Sequence, residues 1–376
     1  MRMHENREVE FAGMERMTYL NTAAEGLPPR AVASALSRYA RDKALGMDGR
    51  ALHEAERDAA RQQAGLALGL AADEVGICSC SSEAFNLAAS ALRLQPGDEV
   101  VINDLDFPAG ATPWLQETCP ATVRLWRARN WALRVDDLIP LLGPRTRLVS
   151  SSLVSFLNGF MIPLPSVLQA IRRHSPALLA LDVTQALGRI PVERTDVDLL
   201  ISSTHKWILG THGGGLVGVP RARAEVWTTS AGGWFNRSDA FGPDRFEQAA
   251  TRPGAAGFTV GMPNYPAVYS VRAALGYING IGVGSIHEYA KPLVRRCLDG
   301  LRKLPVELIT PDEPDAIAGI VAFRCDDADR LNRLLHERGI HVMSHAGRLR
   351  VSIHGYNTMD DVELLLRVLE EGLRRP

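Results

Sequence analysis

Six short, largely apolar runs between residues 75 and 219, separated by turns and by longer stretches of helical spacing, constrain this chain more than any other feature. VGIC (75–78) is the first. Glu83 to Arg93 then places Phe85, Leu87, Ala88, Ala91 and Leu92 at helical intervals. The turn and strand of PGDEVVIND, Arg147 to Val154, Leu178 to Leu181, Val197 to Ile201 and Gly215 to Val219 continue the series. Runs that are apolar at consecutive positions suit strands buried on both faces. Their alternation with helices predicts a mostly parallel α/β sheet. Such a sheet gathers ligands just beyond the carboxyl ends of its strands, so the polar residues that close each run become the candidates for function.

The texture changes after about residue 265. Ala267 to Ile278 and Ile286 to Leu304 carry the spacing of long helices. VELIT, AGIVAFRC and LRVSIH have the pattern of strands, with helices over Asp327 to Arg338 and Met359 to Leu373. The expected division is a large α/β domain over 15–265 and a smaller α+β C-terminal domain over 266–376, the latter joined by residues 1–14.

The bulk numbers exclude several classes. A net charge of -1 gives no reason to expect nucleic acid or an anionic membrane surface as partner. With 46% hydrophobic and 23% charged residues, the 376-residue chain has the composition of a globular protein with a sizeable core. Its five cysteines are odd in number and scattered, as expected of reduced thiols in a cytoplasmic protein. Cys78 and Cys80 lack a second Cys/His pair at zinc spacing, so no metal is expected. The opening MRMHENREVEF has no apolar core of a signal peptide, and no run reaches the roughly 20 apolar residues that span a bilayer.

The polar residues after the fourth and fifth runs carry chemistry. Asp182 closes LLAL, Gln185 follows three residues on, and Ser203, His205 and Lys206 follow VDLLIS. Pyridoxal phosphate (PLP) asks a protein for a lysine to form an imine, an acid at the pyridine nitrogen, an anion cradle and a flat partner for its ring. Lys206, set among apolar residues and glycines, suits the imine, because such surroundings lower a lysine pKa. Asp182 suits the pyridine nitrogen, and Gln185 the 3-hydroxyl edge. Ser81, Ser82 and Glu83, at a helix start after the first run, form the anion cradle, with Ser203 and His205 adding contacts. Phe107, in LDFPAG, is the stacking candidate. Taken singly, each has a plainer reading: Ser-Ser-Glu as a helix cap, Asp182 as a turn residue, Phe107 as core. The argument rests on their coincidence and order.

Together these segments resemble the class V aminotransferase-fold enzymes, the PLP-dependent group that includes cysteine desulfurases, isopenicillin N epimerase-like proteins and kynureninase. The resemblance runs from TYLNTAAEGLP to LRVSIHGYNTMDDVELLLRVL, and its most specific pieces are DVTQALGRIPV, DLLISSTHKWILGTHGGG and RVSIHGYNTMDDV. It implies PLP fold type I and a homodimer acting on an amino acid. It also implies Lys206 as the imine lysine, Asp182 at the pyridine nitrogen and Gln185 near the 3-hydroxyl. Ser81, Ser82, Ser203 and His205 correspond to phosphate contacts, Phe107 to the stacking position and Arg350 to the arginine that binds the substrate α-carboxylate.

Three departures narrow the reaction. Desulfurases carry a nucleophilic cysteine on a loop before that arginine; here the stretch is GIHVMSHAGRLR, with Ser344 and His345 and no cysteine. Cys325 is expected in a buried strand. Many relatives have an asparagine near the 3-hydroxyl where SLVSFLNGF places Phe156, so either Ser155 or Asn158 substitutes or that edge is less polar. Many also end a strand with a Gly-Thr that reaches the neighbouring subunit's phosphate; here it is Gly261-Met262, which leaves a backbone N–H. Persulfide-forming desulfuration is therefore disfavoured. The expectation is β-elimination of a C–S lyase type on a substituted amino acid such as an S-conjugated cysteine, with transamination or epimerisation as the alternative and a catalytically silent PLP-fold protein as the contrasting class. The irregular stretch AGGWFNRSDAFGPDRF (231–246) suggests a large substrate, with Trp234 and Phe235 either lining an entrance or packing at a subunit interface.

Overall fold

A computed structural model describes residues 2–192 and 196–374; the expected domain limits at residues 1 and 376 lie outside them. The central sheet has seven strands: β1 (Val75–Cys78), β2 (Glu99–Asn103), β3 (Thr122–Trp126), β4 (Thr146–Ser152), β5 (Leu178–Asp182), β6 (Leu199–Ser203) and β7 (Gly215–Gly218). Their spatial order is β1-β7-β6-β5-β4-β2-β3. All neighbours are parallel except β7, which runs antiparallel to both β1 and β6. The longer helices are α1 (Arg30–Ala44), α2 (Arg50–Leu68), α3 (Ser81–Leu92), α4 (Leu164–His174), α5 (Tyr265–Ile281), α6 (Val283–Leu301), α7 (Ala328–Glu337) and α8 (Met359–Arg374).

The consecutive apolar residues of each strand are explained by two covered faces. Leu179 and Leu181 pack with Ala60, Ala64, Val167 and Val268 from α2, α4 and α5. Ala180, between them, faces the other way, towards Phe85 and Ala88 of α3. Successive strand residues point to opposite faces, so a strand covered twice must be apolar throughout.

Several elements escape the sequence reading. β3 is the edge strand and carries Arg124 at its centre, which hides it from an apolar-run criterion. α1 and α2 turn mainly small residues inward, including Ala35, Ala60, Ala64 and Gly65, rather than a stripe of large apolar ones. β6 also begins two residues later than its apolar run. Asp198 is withdrawn from the strand because its carboxylate accepts the Leu179 N–H (2.7 Å) and pairs with Arg172 and Arg223 (2.7 Å each).

Beyond α6 lies a second, antiparallel sheet: β8 (Glu307–Leu308), β9 (Ile320–Arg324), β10 (Met343–His345) and β11 (Arg348–Ser352), in the order β10-β11-β9-β8. Leu349 and Val351 of β11 pack with Phe323, Leu331 and Leu365 in a separate core. The N-terminal segment docks there too, with Arg7 bonded to Asp361 at 2.7 Å and Phe11 packed on Tyr356. GIHVMSHAGRLR, expected as a loop, is a hairpin. Met343–His345 pairs with Arg348–Arg350, and the two connecting residues, Ala346 and Gly347, have φ of 51° and 71°. Left-handed conformation at both positions of a two-residue turn matches the twist of the flanking strands. Among the described residues, no helix is long and apolar enough to cross a membrane.

Candidate active site

A cleft of about 490 Å³ opens beyond the carboxyl ends of β4, β5 and β6 and reaches β10 and β11 on its far side. Asp182, the last residue of β5, is 7% exposed on its floor. One carboxylate oxygen accepts the Thr184 N–H at 2.7 Å. Burial raises the carboxyl pKa, opposed by the Thr184 bonds and the Lys206 ammonium. Lys206 lies just after β6 in the same cleft. Burial lowers its pKa, Asp182 opposes that, and Arg350 adds to it. Its Nζ stands 5.1 Å from the Phe107 ring centroid and makes no hydrogen bond or ion pair among the described residues.

The lysine is held by its backbone. Trp207 is fully buried. Its indole N–H donates to Gln185 Oε1 at 2.6 Å, and its carbonyl accepts from His354 Nε2 at 2.9 Å. From the N-terminal side, Gly26 donates its N–H to the His205 carbonyl at 2.8 Å. A Cβ on Gly26 would fall 1.9 Å from the Lys206 carbonyl oxygen, so only glycine permits this approach. His205 stacks on His212, centroids 4.4 Å apart. Burial, with the Lys206 and His212 charges, pushes its pKa down to about 4, so the ring is neutral near pH 7.

At the other end of the cleft, Ser203 Oγ donates to Ser81 Oγ at 2.9 Å, where α3 begins. The hydroxyls and the first N–H groups of a helix provide a setting for a phosphate. The Phe107 ring, 43% exposed, meets the Phe156 ring edge to face at 5.2 Å. A buried amine without a partner, a buried carboxylate, paired hydroxyls at a helix start and an open aromatic face thus surround one cavity. These donors fit PLP.

Residues 18–365 match the aminotransferase class-V family. The chain belongs to that family. Membership brings PLP as the cofactor and makes the protein a class-V enzyme of PLP fold type I. Among class-V relatives, it is 29% identical over 97% of its length to a cysteine desulfurase of Klebsiella pneumoniae, covering 95% of that protein. It is 26% identical over 81% of its length to the uncharacterized aminotransferase YcbU of Bacillus subtilis, covering 80% of it. The fold superposes on the apo cysteine desulfurase of Thermococcus onnurineus NA1 with a TM-score of 0.90 at 22% identity, covering 100% of this chain and 99% of that one. It superposes on the cystine C–S lyase C-DES, solved with its reaction product cysteine persulfide, with a TM-score of 0.86 at 21% identity, covering 96% and 99%.

Within this class-V cleft, Ser81, Ser82, Phe107, Asp182, Gln185, Ser203, His205, Lys206 and Arg350, all singled out from sequence, come together. Two do not. Glu83 turns away, and its carboxylate accepts the Ser79 N–H at 2.6 Å as a helix cap. A carboxylate there closes the helix end rather than binding an anion. Gly261 does not line the cleft of its own chain. Neither Ser155 nor Asn158 replaces the missing asparagine. Ser155 Oγ donates to the Leu105 carbonyl, and the Asn158 amide is spent on Trp131, Ile309 and Phe160. Gln185 has one amide N–H on the Ala23 carbonyl at 3.2 Å, which leaves its second N–H for the ring edge. Trp234 and Phe235 line a different groove, beside Arg57 and Met262, rather than the entrance to this cleft in the same chain. Cys325 is half-buried just past β9 and lines no part of the cleft, whereas Cys80, at the α3 cap, does.

Sequence reasoning missed four residues. Thr184 bridges the two central loops, its N–H on Asp182 and its Oγ1 accepting the Ser203 N–H at 3.0 Å. Arg348 and His345 enter from the hairpin. Asp106 accepts the Ser152 N–H at 2.8 Å and the Asn103 amide at 2.9 Å; burial, with the Asp182 charge adding to it, pushes its carboxyl up to about 7. The alternation of Arg348 and Arg350 was visible in GRLRVS; the others depend on contacts between distant segments.

Proposed function

We propose that this class-V enzyme catalyses β-elimination on an amino acid bearing a sulfur substituent at Cβ. Bound in the cleft, PLP supplies an electron sink for Cα. Lys206 carries the cofactor and takes the Cα proton. Asp182 holds a proton on the pyridine nitrogen, and the remaining Gln185 N–H serves the 3-hydroxyl edge. Ser81, Ser82, Ser203 and neutral His205 hold the phosphate, and Phe107 covers the ring. Arg350 binds the α-carboxylate through its planar fork. The C–S bond breaks with its electron pair going to sulfur, and the released enamine is hydrolysed to pyruvate and ammonium.

The hairpin carries this reading. Passing sulfur to the protein requires a thiol that can reach the substrate from the arginine side. Here that side is the hairpin, whose two-residue turn is Ala346 and Gly347 and which carries no thiol. The lining thiol, Cys80, belongs to the α3 cap, where its Sγ accepts the Glu83 N–H at 3.4 Å. The fold likeness to the cystine C–S lyase C-DES is in keeping with direct release.

The protein acts as a homodimer in this reading, with Gly261 offering its N–H to the neighbouring phosphate. Met262, Trp234, Phe241 and Phe246, exposed by 47, 43, 80 and 89%, supply apolar surface for that contact. The deciding experiment supplies S-substituted cysteines to the PLP-loaded protein and measures pyruvate and released thiol. Keto acid without thiol release points to transamination. Solvent deuterium at an inverted Cα points to epimerisation. No turnover of any amino acid marks a silent protein.

A further inference from the structure

We propose that Arg348 is a second anion-binding residue of the cleft, so that the substrate carries an oxyanion on its side chain as well as its α-carboxylate. The reaction assigned above enters this inference only in saying that the oxyanion leaves with the sulfur substituent; the binding argument does not depend on it.

Arg348 and Arg350 alternate along β11, while Leu349 and Val351 between and beyond them enter the C-terminal core. Strand alternation therefore points both guanidinium groups at the cleft, which both line. Their Cα atoms stand about 6.6 Å apart along the strand. That spacing suits a substrate whose second acid group lies an atom or two beyond Cβ.

Both side chains are deeply buried, with residue exposures of 6% and 2%. Both Nε atoms are buried without a hydrogen-bond partner among the described residues. Arg350 gives one Nη1 bond to the Phe156 carbonyl at 2.8 Å. The Arg348 side chain makes no hydrogen bond or ion pair among the described residues; its guanidinium lies 5.9 Å from the Phe156 ring centroid. The positions facing it across the sheet are Arg324 on β9 and His345 on β10, and neither supplies negative charge. Burial and the Arg348 charge lower the Arg350 pKa to about 10, and burial and Arg324 lower that of Arg348. Asp182 is the acid that lines this cleft, and it lies on the β5 floor rather than on the hairpin. Buried cations of this kind are retained where an anion arrives to pair with them. The α-carboxylate matches one planar fork. A second fork is left over, and its geometry suits a carboxylate or a sulfur oxyanion.

The test is calorimetric binding to the PLP-loaded protein of succinate, 3-sulfopropionate and butyrate, none of which has an amino group to react. Succinate, 3-sulfopropionate or both should bind about tenfold or more tightly than butyrate. Which dianion wins tells a carboxylate substrate from a sulfonate one. Arg348→Met should abolish the advantage and leave butyrate binding unchanged, while Arg348→Lys restores part of it. Arg350→Met should weaken all three. Equal binding of dianions and butyrate by the wild type overturns the proposal. So does an Arg348→Met variant that keeps the dianion advantage, or one that loses butyrate and dianions equally with a lowered melting temperature, which would make Arg348 structural. If the dianion preference stands while S-substituted cysteines give no pyruvate, the reaction assignment fails and the second anion site does not.

Discussion

The Trp207 indole N–H donates to the Gln185 side-chain oxygen at 2.6 Å, which ties the loop after β5 to the segment that carries Lys206. The bond lies wholly inside the protein, with Gln185 4% exposed and Trp207 fully buried. Gln185 thus positions the lysine from behind, in addition to whatever it offers the cofactor ring. Gln185→Leu should orphan the buried indole donor and cost about 1–3 kcal/mol of stability. It should also weaken PLP binding. Chemical denaturation and PLP titration check this; a Gln185→Leu variant with wild-type stability and PLP affinity would contradict it.

Gly26 permits the other clamp on the same segment. In Gly26→Ala the new methyl meets the Lys206 carbonyl, so either the N-terminal segment or the lysine loop must shift. Overpacking of this kind costs about 1–3 kcal/mol. Because the shift acts on Lys206 itself, the visible absorption of bound PLP should weaken before the secondary-structure signal changes. Melting curves followed at both wavelengths separate the two.

Lys206→Ala should abolish both turnover and the absorption of the lysine-bound cofactor while leaving the fold intact. The amine is buried without a hydrogen-bond partner among the described residues, and its pKa is lowered by burial. Removing it relieves a desolvated charge, so the PLP-free variant should match or exceed the wild type in stability. A marked destabilisation of the apoprotein would show that the amine has a structural partner.

Asp106 gives the fold a pH dependence of defined sign. Its folded pKa, about 7, lies above its ordinary 3.8, so between these values the folded state holds a proton that the unfolded chain releases. Its contribution is fully present below about pH 4 and lost as pH rises through 7. His205 runs the opposite way: its folded pKa of about 4 lies below 6.5, so its contribution is present above about pH 6.5 and lost as pH falls through 4. Asp106→Asn should remove the first slope and keep the second. Denaturant midpoints from pH 4 to 8 for both proteins, with the same slope in each, would refute the assignment.

The C-terminal hairpin marks where sequence reading stopped. The absence of a cysteine from GIHVMSHAGRLR was legible, but the structure of the segment was not. This two-residue turn has left-handed backbone at both positions, and Ala346 gives no hint of that, unlike the Asn-Gly or Asp-Gly pairs that announce such turns. Once the hairpin forms, strand alternation sends Arg348 to the cleft beside Arg350. The same limit applies to Ser155 and Asn158: their residue types suit the place of the missing asparagine, but their side chains are bonded to Leu105, Trp131 and Ile309. α1 and α2 were illegible for a simpler reason: alanine and glycine fill their inward faces, and composition does not separate those from solvent-facing alanines.

The sequence by itself marked six of the seven strands of the central sheet, most of the residues that line the cleft, and the family. Doubly buried strands must be consecutively apolar, and a parallel sheet presents its reactive residues at fixed strand ends, so Asp182 and Lys206 were marked by position alone. Tertiary structure decided what surrounds them: which polar atoms are already spent, as in Glu83 and Asn158, and which remain unpaired, as in Lys206, Arg348 and Arg350. Pairing between residues far apart in the chain is a property of packing, and the spacing of residue types does not encode it.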